Sequence, residues 1–282
     1  MDEIPAINNE LSAAARYGID FVREQLSGKS IAVLTGAGIS TDSGIPDYRG
    51  EGRTPRHPMT FDSFIGSKEA QIRYWARSFV GWSRIANAKP NAGHFALANA
   101  ESLGAIRSII TQNVDGLHQA AGATKVIDLH GRLDRVTCLS CSSMISRLEM
   151  DEMLQALNPT IQKSSDFEFT PDGDAEVEAA SNFQVPDCPT CGGLLKPDVV
   201  FFGESVPLER VDAAMNEVDL ADVILVAGTS LAVNSGMRFV RKAAKAQKPI
   251  IIVNIGPTKA DELAMAKIEA NTSLALERLF SD

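Results

Sequence analysis

The sequence predicts an α/β fold: an open parallel sheet with helices on both faces, plus a small inserted metal-binding module. Three observations carry this. Five short apolar runs, at 31–35, 106–111, 125–129, 222–227 and 250–254, have the length and content of buried parallel strands. Helical patterns at 67–86, 91–103, 207–219 and 234–247 separate them, and such alternation leads to a Rossmann-like layered sheet. All four cysteines fall in one stretch that interrupts the alternation.

From the N-terminus, residues 8–27 read as a helix, with Leu11, Ala14, Ala15, Ile19, Val22 and Leu26 at helical spacing. The first strand runs directly into Gly36-Ala37-Gly38. The stretch after that turn, 45–64, holds prolines at 46, 55 and 58 and reads as a long structured loop rather than a helix. From Cys138 to about Pro197 the chain is polar and poor in sheet signals, and residues 164–181 are acidic and turn-rich, as an exposed insertion would be. We therefore divide the chain into a Rossmann-like domain, residues 1–137 and 198–282, and a small zinc-binding module, 138–197.

Of the 282 residues, 44% are hydrophobic and 22% charged, with a net charge of −9. That balance excludes a general nucleic-acid binder, whose affinity would come from a basic surface matched to phosphates. The N-terminal segment has neither the apolar core of a secretory signal nor the arginines of a transit peptide. No uncharged apolar run approaches ~20 residues, so no membrane span or membrane partner is expected. The expected location is the cytoplasm; a mitochondrial matrix location would require a leader already removed.

Cys138-x-x-Cys141 and Cys188-x-x-Cys191 each offer two thiolates from one tight turn, and two such turns complete a tetrahedral Zn²⁺ site. The 46 residues between the pairs exceed ordinary ribbon spacing, and the acidic insertion accounts for the excess. Disulfides are the competing reading, but no export signal accompanies them. A catalytic zinc needs a water position, and four thiolates leave none, so the zinc is read as structural.

Ligands of an open parallel sheet bind at the carboxyl ends of its strands. Four ends here are polar: "TQNVDG" with Gln112, Asn113 and Asp115, "DLHG" with His130, "GTSLAVNSG" with Gly228, Thr229 and Ser230, and "VNIGPT" with Asn254. Each has a plainer reading. A lone GxG is a weak dinucleotide signal, Asn-Val-Asp-Gly is a good turn, Thr229 or Ser230 would cap a helix, and a strand-end histidine is commonly structural. Their convergence beside a glycine turn is more than packing asks for. A dehydrogenase is disfavoured, because Thr41 stands where the third glycine belongs and no helix, strand and acid follow in order.

In this order "GAGISTDSGIPDYR", "TQNVDGLH", "LHG", the two C-x-x-C pairs, "LKPDVVFFGE", "GTSLAVNSG" and "VNIGPT" resemble the sirtuins, NAD-dependent protein lysine deacylases, over roughly residues 28–280. "RYWARSFVGW" (73–82), "TPDGD" (170–174) and the tyrosine of "DYR" are most similar to class II. The resemblance implies that Gly36, Ala37, Gly38 and Ser40 contact the pyrophosphate and nearby ribose of NAD, and that Ile45, Pro46, Asp47, Asn113, Val114 and Asp115 form the nicotinamide pocket. Tyr48 and Arg49 then belong to a cofactor loop. Gln112 and His130 contact the nicotinamide ribose, with His130 as general base and Asn113 and Asp115 as its catalytic companions. Gly228, Thr229, Ser230, Asn254, Ile255 and Thr272 hold the adenosine half. Val200, Phe202, Gly203 and Glu204 on one side and Val233, Asn234 and Ser235 on the other pair with an acyl-lysine peptide as two flanking strands. Products are free lysine, nicotinamide and O-acyl-ADP-ribose.

The acyl group stays open. Tyr74 and Arg77 have the spacing of an acid-binding pair but equally that of a surface pair on one helix face, and Arg53 and Arg56 would also meet an acidic chain. Two other functions stay in view: a protein mono-ADP-ribosyltransferase using the same pocket, and a non-catalytic NAD-binding scaffold.

Overall fold

The structure is a computed structural model that describes residues 10–47, 58–161 and 182–281. Helix α1 (Ala13–Leu26) and strand β1 (Ile31–Thr35) are followed by three helices, α2 (Phe61–Gly66), α3 (Lys68–Asn87) and α4 (Ala92–Ser102), before β2 (Ile106–Thr111). A single turn, α5 (Leu117–Ala120), leads to β3 (Val126–Asp128). Then come β4 (Gly131–Cys138), β5 (Met144–Ser146), α6 (Arg147–Leu157) and β6 (Leu195–Val199). The chain closes with α7 (Leu208–Leu220), β7 (Val223–Ala227), α8 (Asn234–Lys245), β8 (Ile250–Val253), β9 (Ala266–Ile268) and α9 (Thr272–Phe280).

The main sheet runs β3-β2-β1-β7-β8-β9, and every pairing is parallel. The chain winds one way from β1 to β3 and restarts at β7 on the other side of β1. That reversal places a crevice at the carboxyl ends of β1 and β7. Side-chain alternation sorts the strands between two cores. Ile31, Val33, Val223, Leu225, Ile251 and Val253 pack with residues of α1, α4 and α9, whereas Leu34, Ile224, Val226, Ile250 and Ile252 pack with residues of α7 and α8. Both faces are covered, which is why these strands read as continuous apolar runs.

The five expected strands are present, with ends shifted by at most one residue. The helices expected at 67–86, 91–103, 207–219 and 234–247 end within two residues of those bounds. The first helix starts later, at Ala13, where the Ser12 side chain accepts from Ala15 N. Three expectations need correction. Part of the stretch read as loop is α2, capped by Thr60 Oγ1 accepting from Ser63 N at 3.2 Å. The interval read as poor in sheet carries an antiparallel sheet, β5-β4-β6, and a helix with a Ser146–Glu149 capping box. Its strands hide in the sequence because β5 has three residues and β6 contains Pro197. The main sheet also has a sixth strand, β9, another three-residue edge.

Beside the small sheet, α3 and α6 share its core: Trp75, Phe79, Leu133, Val136, Met150, Leu154 and Leu195 form one apolar cluster. Trp75 Nε1 donates to Leu195 O at 3.3 Å. Arg147, only 2% exposed, is paired with Asp151 at 2.9 Å and lies 4.9 Å from the Trp82 ring centroid, so its buried charge is compensated.

At the crevice the turns after β1 and β7 interlock. Gly36 N donates to Ala227 O at 3.2 Å, and Gly38 N to Gly228 O at 2.8 Å. A Cβ on Gly38 would lie 2.9 Å from Gly228 Cα, and one on Gly228 would lie 2.4 Å from Ile39 N. Gly228 also has φ +64°, whereas Gly44, with φ +79°, has open space where its Cβ would be. We expect Gly44→Ala to cost about 1 kcal/mol for the left-handed backbone alone, and Gly228→Ala at least ~2 kcal/mol more for forcing the turns apart. Urea unfolding of the two variants measures the difference, and equal losses would show that the close contact carries no stability.

Candidate active site

The sheet architecture gathers most of the expected residues at one place. β2 ends at Thr111, and its continuation lies across the end of β1. Gln112 N donates to Thr35 O at 3.0 Å, and the Gln112 side chain donates to Thr35 O and to Thr229 Oγ1 at 3.2 and 3.0 Å. Thr229 Oγ1 in turn accepts from Leu231 N. Thr229 and Ser230 do not cap α8, whose N-cap is Val233 with no side-chain bond. Asn113 is buried and donates to Gly36 O at 3.2 Å and to Ser40 Oγ at 3.1 Å; Ser40 Oγ donates onward to Asp115 Oδ2 at 2.7 Å. Asp115 also accepts from Leu117 N at 2.9 Å. Burial pushes the Asp115 carboxyl up, while the Leu117 amide and the Ser40 hydroxyl pull it back.

His130 stands where β3 hands over to β4. Its Nδ1 is 2.9 Å from Gln112 O and its Nε2 is 2.9 Å from Ser235 Oγ. A carbonyl oxygen only accepts, so Nδ1 carries the ring proton and Nε2 presents the lone pair. Burial holds the imidazole below its ordinary pKa; the Gln112 carbonyl opposes that, and the charges of Arg210 and Arg238 reinforce it.

The remaining expected residues divide. Ile45 is buried, Pro46 and Asp47 are half-buried, and Arg84 donates to Gly44 O at 3.1 Å beside them. Asn254 follows β8, is buried, and donates to Ile255 O at 2.7 Å, while Ile255 is exposed. Thr272 opens α9 next to its N-cap Asn271, which donates to Asp42 in the turn after β1. Val200 N donates to His130 O at 2.8 Å. Neither expected peptide-flanking segment is a strand in the structure. Phe202 makes a lone bridge with Thr60, Gly203 has φ +82°, and Asn234 and Ser235 begin α8. Tyr74 is 2% exposed and edge-on to Phe64 and Phe201, so its ring does not lie on the helix surface. Tyr48, Arg49, Arg53, Arg56 and the segment 164–181 lie outside the described residues.

A supporting layer was not legible beforehand. Thr35 Oγ1 donates to Thr111 Oγ1 at 2.9 Å and lies 2.9 Å from His118 Nε2, while Thr111 Oγ1 accepts from Asn113 N. Asn91 caps α4 and reaches Ile39 O and Ser43 Oγ at 2.8 and 3.0 Å, bracing the glycine turn. The signal for Asn91 was available: an asparagine just before an apolar helical pattern.

The four cysteine sulfurs lie within 4.8 Å of one another. Cys138 and Cys191 Sγ are 3.6 Å apart, and Cys141 and Cys188 Sγ 3.8 Å. The thiols cannot all ionise unaided: the Ser143 hydroxyl holds Cys188 down to about 6, while the neighbouring Cys141 thiol pushes Cys191 up to about 12. Such a set fits a divalent cation that would bind four thiolates, as structural zinc does. We expect one zinc per purified chain by elemental analysis. Cys188→Ser should lose the metal and lower the melting temperature by about 5 °C or more, and a variant that unfolds with unchanged midpoint would deny the metal a structural role.

The Sir2 family pattern matches residues 36–235 of this chain. A protein of Xanthomonas campestris pv. campestris (strain 8004) named NAD-dependent protein deacetylase is 52% identical over 251 residues, covering 86% of this chain and 84% of its own. NAD-dependent protein deacetylase 1 of Mycobacterium avium (strain 104) is 50% identical over 258 residues, with 90% and 92% covered. Among solved structures, a Sir2–p53 peptide–NAD⁺ complex is 31% identical with a TM-score of 0.74, covering 92% of this chain and 95% of its own. Sir2Tm bound to a propionylated peptide is 30% identical, also with a TM-score of 0.74, with 93% and 96% covered. The chain belongs to the Sir2 family, the sirtuins.

Proposed function

We propose that this chain is an NAD-dependent protein lysine deacylase that accepts acetyl-lysine, with His130 as its general base. The observation that carries the reading is the fixed imidazole: Nδ1 is held on the carbonyl of Gln112, the residue before Asn113, and Nε2 keeps its lone pair toward the Ser235 hydroxyl. The names of the relatives support NAD and an acyl-lysine substrate, and the propionylated-peptide complex supports a range of acyl groups.

The chemistry of the crevice suits the cofactor. The groups gathered there are amides and hydroxyls with the carboxyls of Asp47 and Asp115, donors and acceptors that fit ribose hydroxyls and a carboxamide. When bound, NAD supplies the glycosidic bond that is broken and the ribose that takes the acyl group. Gly36, Ala37, Gly38 and Ser40 would hold its pyrophosphate end. Gly228, Thr229, Ser230, Asn254, Ile255 and Thr272 would hold the adenosine half, and Ile45, Pro46, Asp47, Asn113, Val114 and Asp115 the nicotinamide. Tyr48 and Arg49 would complete the cofactor loop. Val200, Phe202, Gly203, Glu204, Val233, Asn234 and Ser235 would flank the peptide. Gln112 orients the ring of His130 through its carbonyl, and Nε2 takes a proton from a ribose hydroxyl. The domain division at 138–197 fits a scaffold role for zinc, remote from this proton transfer.

Mass spectrometry of NAD incubated with acyl-lysine peptides tests the reading: O-acyl-ADP-ribose supports it, and ADP-ribosylated protein without acyl transfer replaces it with mono-ADP-ribosylation. His130→Ala should lose at least about a hundredfold in turnover while NAD still binds, because a positioned base contributes that much. The base works as neutral imidazole, and its pKa lies below the ordinary 6.5, so turnover should hold through neutral pH and fall only below that value. An acid limb above it would contradict the assignment.

A further inference from the structure

We propose that the Ser235 side chain is a positioning residue for the base: its hydroxyl donates to Nε2 of His130 and fixes the ring in the tautomer and orientation that proton abstraction requires. This rests on His130 being the base. It assigns the serine hydroxyl a task separate from any backbone contact that residue makes with a peptide.

The argument starts from the two ring nitrogens. Nδ1 faces Gln112 O at 2.9 Å and must be the protonated one, which leaves Nε2 a single in-plane lone pair. The group that meets this lone pair, at 2.9 Å, is the Ser235 hydroxyl, and a hydroxyl can donate to it. A ring held at Nδ1 alone can still swing about that contact. A ring held at both nitrogens cannot.

The surroundings set the distance. Ser235 lies in the first turn of α8, and the next residue, Gly236, is packed so tightly on Gln112 that a Cβ there would stand 2.7 Å from Gln112 Oε1. Gln112 therefore governs both ends of the imidazole: its carbonyl holds Nδ1, and its side chain, tied to Thr229, sets how closely the start of α8 approaches. A larger residue at 236 would lift the serine off the ring.

Electrostatics point the same way. The charges that act on His130 are Arg210 of α7 and Arg238 of α8, both of which favour the neutral ring, as burial does. The Ser235 hydroxyl donates to this neutral ring and could turn to accept from an imidazolium, so it fixes the ring's place while burial and the arginines keep it neutral. The lone pair serves one donor at a time. The serine holds the ring in place beforehand; Nε2 would exchange that bond for one from a ribose hydroxyl and take its proton.

The test compares Ser235→Ala, Ser235→Thr and His130→Ala in the full-length protein. In protein with ¹⁵N-labelled histidine at a pH where His130 is neutral, NMR should show the Nε2 resonance of Ser235→Ala displaced from wild type, as loss of a donated hydrogen bond requires, and Ser235→Thr, which keeps the hydroxyl, should restore it. With NAD and an acetyl-lysine peptide, Ser235→Ala should lower kcat about tenfold with both KM values unchanged, the cost of a base no longer set in orientation beforehand. An unmoved Nε2 resonance overturns the proposal, and so does a change confined to the KM for peptide. His130→Ala separates the two readings. If it keeps wild-type turnover, the base assignment falls and this proposal with it. If it is inactive while Ser235→Ala matches wild type, only this proposal falls.

Discussion

The close approach of two backbone turns, after β1 and after β7, is the constraint on which the site depends. Gly38 N reaches Gly228 O at 2.8 Å, a distance that neither turn would allow if either residue carried a side chain. That contact draws the ends of two parallel strands together where the winding of the sheet reverses. Thr229, immediately after Gly228, is thereby in reach of the Gln112 side chain, and Gly36 O in reach of Asn113. The polar residues of the crevice do not find one another by mutual attraction. Each is delivered by a strand whose register is set deep in an apolar core, and the hydrogen bonds record that delivery.

Burial then does chemical work. A half-exposed imidazole in water titrates near neutrality. His130 is kept below that value because the charged form loses solvation and meets two arginines rather than a carboxylate. Asp115, a few residues from the end of β2, is pushed the other way by the same loss of water, and its bonds to Ser40 and Leu117 resist the push. Beneath these, His118 is fully buried and its pKa lies well below the ordinary value, so the ring stays neutral and acts as a spacer between Thr35 and its neighbour His94. Two histidines of one sequence thus differ in role through location: His130 at an open strand end, His118 behind it.

Much of the large domain was legible because its strands are covered on both faces and therefore read as unbroken apolar runs. The strand ends stood out as well, since residues such as Asn113 and His130 interrupt those runs where solvent or a ligand must be met. What sequence reasoning missed is short or mixed. β9 is three residues long, too brief for any period to register, and β6 contains Pro197. The contact between Ser235 and His130 joins residues 105 positions apart, and no local pattern encodes it. Tyr74 shows the converse failure: its spacing from Arg77 left a surface pair as open as an acid-binding one, but Tyr74 itself is buried in an apolar cluster.

The small sheet explains why a metal remote from the chemistry would still matter to it. β4 begins at Gly131, one residue after His130, and ends at Cys138; β6 pairs with it antiparallel and ends at Val199, one residue before Val200. One end of this two-stranded ribbon therefore carries the proposed base and the proposed peptide-binding segment, joined by the bond from Val200 N to His130 O. The other end carries the cysteine cluster, where Val136, Thr137 and Cys138 pair in regular register with Pro197, Lys196 and Leu195. Between the two ends the register shifts, and residues 132–135 of β4 stand opposite Asp198 alone. A slip of one residue in the regular stretch would turn every side chain there to the opposite face, and fixing the cysteines around an ion holds that stretch in register. The short β6 ties it to Val200, so the cysteine cluster and the crevice are two ends of one strand pair.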